Sequence, residues 1–242
     1  MNLLFTSPPP LRAGQRPAGR LLPPFTRAAG LAVLLLSWSS PGPIPACAAE
    51  APAGGYKNDF TAATLDQVPD DMLVLDGGFA VKEEAGNRFL ELPGAPLETY
   101  GVLFGPTEPS GLSVTARIQS SGKGRRFPTF GVGLNGVGGY KLQIAPAKKM
   151  LELYRGEDLL TNAPVSWESG SWTRLRLQTS KSKEGALQVR GRAWKDGDPE
   201  PKDWPILQVE AAEPPPGRPS LWGMPFAGTP IRFDDLGVGK AQ

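Results

Sequence analysis

An all-β sandwich of two antiparallel sheets is the fold this sequence predicts, and three features predict it. From Tyr56 onward, short apolar or alternating runs are separated by Gly, Pro, Asn and Asp clusters, with none of the sustained 3.6-residue periodicity of a helix. Ser171 to Asp198 reads as two long antiparallel strands joined by a turn at Ser180 to Gly185. Asn135-Gly136 lies between two further alternating runs and favours a primed hairpin turn, because both residues tolerate positive φ.

Strands are predicted at Lys57 to Thr61, Phe79 to Glu83, Arg88 to Leu92, Glu98 to Phe104 and Leu112 to Gln119. They continue at Thr129 to Leu134, Tyr140 to Ile144, Met150 to Tyr154 and Leu159 to Asn162, and after the long pair at Ile206 to Val209, Ser220 to Trp222 and Ile231 to Val238. In the long pair, Thr173, Leu175, Leu177 and Thr179 share one face with Leu187, Val189, Gly191 and Ala193, since side chains alternate across a strand. The other face carries Arg174, Arg176, Gln178, Gln188, Arg190, Arg192 and Trp194. Near the end, Ile231 and Phe233 are out of phase with Leu236 and Val238; one extra residue at Asp234-Asp235, a β-bulge, returns both sets to the core. Glu213 to Pro219 reads as a stiff proline-rich connection.

Residues 1–49 have a different character, with four arginines, nine prolines and no acidic residue. Arg27, the apolar run from Ala28 to Trp38 and the small residues Ala46-Cys47-Ala48-Ala49 have the layout of a secretory signal. The run falls short of the about 20 apolar residues that span a bilayer. The expectation is an N-terminal extension and signal peptide over 1–49, cleaved after Ala48 or Ala49, then one domain over 50–242 that is secreted or periplasmic. Ile44-Pro45-Ala46-Cys47 loosely resembles a lipobox, so the alternative is a lipoprotein anchored at Cys47. Without the leader, 22 basic residues face 24 acidic ones, a formal net charge of −2. That balance argues against nucleic acid as a partner, since phosphate binding needs a large cationic excess.

The chain has no histidine and its one cysteine lies in the leader, which removes the serine triad, the usual zinc sites and thiol chemistry from the mature domain. Gly131-Val132-Gly133-Leu134-Asn135-Gly136 matches a dinucleotide fingerprint, but a strand follows it instead of a helix, so these glycines read as hairpin and close-packing residues. Asp196-Gly197-Asp198-Pro199-Glu200 reads as exposed loop acids.

Asn58-Asp59-Phe60-Thr61, Gly139 to Ile144, Gly170 to Leu175 and Ile231 to Val238 resemble, in that order, segments of the concanavalin A-like lectin and glucanase superfamily in its laminin-G-like branch. The resemblance implies a jelly-roll sandwich with ligands held on one sheet or its rim. The glucanase Glu-x-Asp-x-Glu run is missing, and so is the Gly-Trp opening of the related 3-keto-disaccharide hydrolase domain. The resemblance also implies a structural calcium ion where first and last strands meet, with Asp59 and Asp235 as ligands; the alternative is a pair of solvated or capping aspartates.

No cofactor beyond that calcium is expected. The leading expectation is a secreted, non-catalytic module binding a glycan or other extracellular polymer, with Arg174, Arg176, Arg190, Arg192 and Trp194 as the ligand-binding face. Four guanidinium groups so close repel one another, so nearby acids or a bound anion, such as an acidic polymer, should offset them; screening by salt also lets the cluster stand unliganded, and the alternative is an ordinary solvated outer face with long side chains stacked over Trp194. The alternatives are a glycoside hydrolase with carboxylates on separate strands and a structural or adhesive domain that binds protein.

Overall fold

The computed structural model describes residues 55–241. The leader, its cleavage site and Cys47 lie outside the described residues. Among the described residues there are strands and turns and no helix, and so no helix long and apolar enough to cross a membrane.

In chain order the strands are β1 (Tyr56–Asn58), β2 (Leu73–Asp76), β3 (Ala80–Glu84), β4 (Asn87–Leu92) and β5 (Tyr100–Leu103). Then come β6 (Leu112–Ser120), β7 (Thr129–Leu134), β8 (Tyr140–Ala145), β9 (Met150–Arg155) and β10 (Asp158–Pro164). The last are β11 (Trp172–Lys181), β12 (Leu187–Lys195), β13 (Ile206–Glu210), β14 (Ser220–Met224) and β15 (Ile231–Lys240). An eight-stranded antiparallel sheet has the order β13-β12-β11-β6-β15-β4-β3, with β1 also paired to β15; a seven-stranded one has the order β10-β9-β8-β7-β14-β5-β2. The two-sheet antiparallel sandwich is therefore the fold. Its one unpredicted strand, β2, is an edge strand whose Leu73 and Leu75 are both largely exposed, so its sequence shows no in-and-out alternation.

The inner faces meet along fully buried Val114, Ala116 and Ile118 of β6, Leu175 and Leu177 of β11, Phe130 and Val132 of β7, and Leu142 and Ile144 of β8. Gly191 of β12 lets the sheets close, since a β-carbon there would come 2.6 Å from Leu142 Cδ1 of the opposite sheet.

Two turns and a bulge fall close to where the sequence places them, although the β7–β8 turn is longer than a tight primed hairpin. The β11–β12 turn spans 182–186, slightly later than expected, and is closed by Ser182 N–H donating to Ala186 O at 2.7 Å. The β7–β8 connection is five residues long, 135–139, and Asn135 (φ 66°) and Gly136 (φ 74°) both take the left-handed conformation. In β15 the register slips between Asp234 and Gly237 and Asp235 has φ 48°, which is the bulge. The bulge divides one edge of β15 between two partners: Ile231 to Phe233 pair with β4, and Leu236 to Val238 pair with β1.

Candidate functional site

The solvent face of the seven-stranded sheet holds the most differentiated surface. Leu151, Leu153, Leu142, Ile144 and Leu221 point into the core, so alternation turns Glu152, Tyr154, Lys141, Gln143 and Trp222 outward. Strand pairing sets them in two neighbouring rows. One runs Gly101, Trp222, Gly131, Gln143, Glu152; the other runs Ser220, Gly133, Lys141, Tyr154.

Glycines on both sides of Trp222 let its indole lie down on the sheet. A β-carbon at Gly101 would come 2.7 Å from the six-membered ring, and one at Gly133 would come 2.9 Å from Nε1. The Nε1–H donates to Ser220 Oγ at 2.7 Å, which fixes the ring in its plane. Lys141 Nζ stands 5.1 Å from the Tyr154 ring centroid and 5.7 Å from that of Trp222, within cation–π range of both. Lys141, Tyr154 and Trp222, with Gln143, Glu157, Thr99, Thr129 and Met224, line an open depression of ≈ 230 Å³.

Glu152 is 2% exposed although it sits on this outer face. Its carboxylate accepts from Lys148 Nζ at 2.8 Å, Gln143 Nε2 at 3.0 Å and Tyr154 Oη at 3.0 Å. Burial alone would push its pKa up, but these hydrogen bonds outweigh it and hold the carboxyl below its ordinary range. The same carboxylate fixes the side-chain ends of Gln143 and Tyr154. Burial pulls the Lys141 ammonium down, opposed by Glu152 and Glu157.

The five residues expected to bind ligand lie together on the other sheet. Arg174 pairs across the strands with Trp194, Arg176 with Arg192 and Gln178 with Arg190, on the shared outer face that alternation predicts. Acids nearby offset their charge. Arg174 is bridged to Asp196 at 2.5 Å and to Asp235 at 2.8 Å. Glu200 bridges Arg176 at 3.0 Å and Arg192 at 2.5 Å, and Arg192 also stacks 3.9 Å from the Trp204 ring centroid. Arg190 is hydrogen-bonded to Gln188. Trp194 is half-buried at one end of the sandwich, in a depression shared with Trp167 and Pro199. Asp196 and Glu200 of the 196–200 loop, expected to be exposed, thus fold back onto the arginines, while Asp198 is exposed as expected.

Asp59 and Asp235 both line one depression of ≈ 370 Å³ beside β1 and β15. They do not make a fitting calcium set. Asp235 lies 2.8 Å from Arg174 Nη2 and 3.3 Å from Arg117 Nε, so a divalent cation there would sit against two guanidinium groups. Asp59 Oδ1 accepts from Thr61 N–H at 3.0 Å, a capping role, and that bond holds its carboxyl low. Among the described residues no group of three or more metal-binding side chains occurs.

No protein-family model matches the chain, and neither does any curated protein. Solved structures do. The carbohydrate-binding module CBM66 from Bacillus subtilis superposes with a TM-score of 0.50 at 8% identity, over 71% of this chain and 96% of the module. The carbohydrate recognition domain of Emp47p gives 0.53 at 10% identity, over 79% and 99%. The Crh5 transglycosylase gives 0.54 at 12% identity, over 78% and 85%. At these identities the likeness is one of fold alone: the chain shares its two-sheet antiparallel sandwich with a carbohydrate-binding module, a carbohydrate recognition domain and a transglycosylase.

Proposed function

We propose that this chain is an exported, non-catalytic module that binds a glycan on the solvent face of its seven-stranded sheet. The observation that carries this reading is the Trp222 indole, laid flat on a glycine floor with Lys141, Gln143 and Tyr154 beside it. A ring presented this way stacks on the apolar face of a sugar, and the neighbouring amide, ammonium and phenol supply hydrogen bonds to its hydroxyls. Glycoside hydrolysis needs two carboxyl groups flanking the bond, one of them protonated as general acid. One carboxylate, Glu157, lines the depression, and the neighbouring Glu152, held low by three donors, suits the part of a fixed anchor better than that of an acid. Export rests on the leader sequence ahead of the domain.

Titrating the protein with a panel of polysaccharides, followed by melting temperature and calorimetry, tests this reading, since a ligand of the native fold alone raises the melting temperature. Trp222→Ala should weaken the best ligand by about tenfold or more, the size expected of a central aromatic contact. Undiminished affinity in that variant rejects the platform, and release of reducing sugar rejects a non-catalytic module.

A further inference from the structure

On the opposite side of the sandwich, strand register puts Lys57 of β1, Gly237 of β15, Thr115 of β6 and Arg176 of β11 in one row. Gly239 and Ser113 pair in the next row. Their chain neighbours Val238, Val114 and Leu177 are buried, so all six face outward. Glycines and short hydroxyl residues therefore floor a trough, with Lys57 and Arg176 on its two sides about 14 Å apart at the backbone, three strand spacings. The trough measures ≈ 240 Å³, Lys240 lines it too, and no carboxylate does.

Its cations are incompletely matched. The lysine ion pairs of the described residues use Lys82, Lys148, Lys181 and Lys195, which leaves Lys57 and Lys240 without one. Glu200 is divided between Arg176 and Arg192, so one carboxylate serves two guanidinium groups. Arg176 Nε and Ser113 Oγ are buried and have no hydrogen-bond partner. In the adjoining depression, Asp235 is already taken up by Arg174 and Arg117, while Asp59 Oδ1 accepts from Thr61 N–H and makes no ion pair with Lys57. Unpaired cations and a floor without side-chain bulk together describe a receptor for an anion.

We propose that this trough binds an oxyanion group, a sulfate ester or a carboxylate carried on a polymer, at a site separate from the aromatic platform and independent of it. Titration of the protein with inorganic sulfate at constant ionic strength, read by NMR of 13C-dimethylated lysines, tests the proposal. The signals of Lys57 and Lys240 should shift saturably while those of the exposed Lys123 and Lys183 do not. Gly239→Leu keeps every charge and fills the trough, because a β-carbon there meets nothing within 4 Å; it should abolish the saturable shift. Lys57→Ala with Lys240→Ala, both exposed positions, should weaken sulfate at least tenfold by calorimetry. A sulfated polysaccharide that displaces sulfate at lower concentration than a uronic-acid polymer identifies the ester as source, and the reverse order identifies the carboxylate. A non-saturating shift spread equally over all lysines, or saturable binding unchanged in Gly239→Leu, overturns the proposal.

Discussion

Trp222 and Gly101 face each other across β14 and β5, and a β-carbon at Gly101 would fall 2.7 Å from the indole ring. Gly101 does not have a left-handed backbone, so alanine there meets only the ring. Gly101→Ala should tilt Trp222 off the sheet and weaken glycan binding about fivefold, close to 1 kcal/mol. Calorimetry against the best polysaccharide measures the loss, and a changed tryptophan signal in near-ultraviolet circular dichroism reports the tilt.

Glu152 gives an acid-sensitive contribution to stability. Its folded carboxyl is held below the ordinary value of 4.5, so its contribution is complete above that value and disappears as pH falls through the lower, folded one. Glu152→Gln should be less stable than the parent at neutral pH, and the gap should close as the solution is acidified below 4.5. Denaturant midpoints of both proteins across pH 2 to 7 check the sign; a gap that widens in acid contradicts it.

Arg117 holds the bulge together. Its guanidinium is ion-paired with Asp234, which is 1% exposed, lies 3.3 Å from both Asp196 and Asp235, and stacks 4.6 Å from the Trp172 ring. Arg117→Ala leaves Asp234 with only Asn87 Nδ2 and the Asp235 N–H. Breaking a buried pair from one side costs about 3 to 5 kcal/mol, and the two remaining donors place this variant near the lower figure. Urea unfolding of the variant measures it.

Calcium should leave the melting temperature unchanged, because Arg174 and Arg117 already supply positive charge at Asp235. Differential scanning calorimetry with millimolar calcium and with a chelator makes the comparison; a calcium-dependent rise lost in Asp59→Ala would restore an ion to the chain ends.

Much of the fold was legible because its strands alternate. The pairing of β11 with β12, the outward arginines and the bulge at Asp235 all followed from period-two patterning broken in one place. The aromatic platform was hidden for a topological reason. Lys141 alternating with Leu142, and Tyr154 with Leu153, marked each side chain as outward, but nothing local says that β14 inserts between β5 and β7 and carries Trp222 beside residues some 80 positions earlier. The arginine counterions were hidden because Asp196 and Glu200 come from a loop, where patterning carries no information on which way the chain returns.

Tyr56 pairs with Val238, so the first described strand and the last run side by side in opposite directions. The start of β1 and the end of β15 therefore share one rim of the eight-stranded sheet, on the opposite sheet from the aromatic platform. Such a domain accepts rearrangement of its connectivity: a short linker across that rim with new termini in the exposed 182–186 turn would give a circular permutant with the same contacts. Spliced into a loop of another protein, it would present Trp222 outward from both junctions.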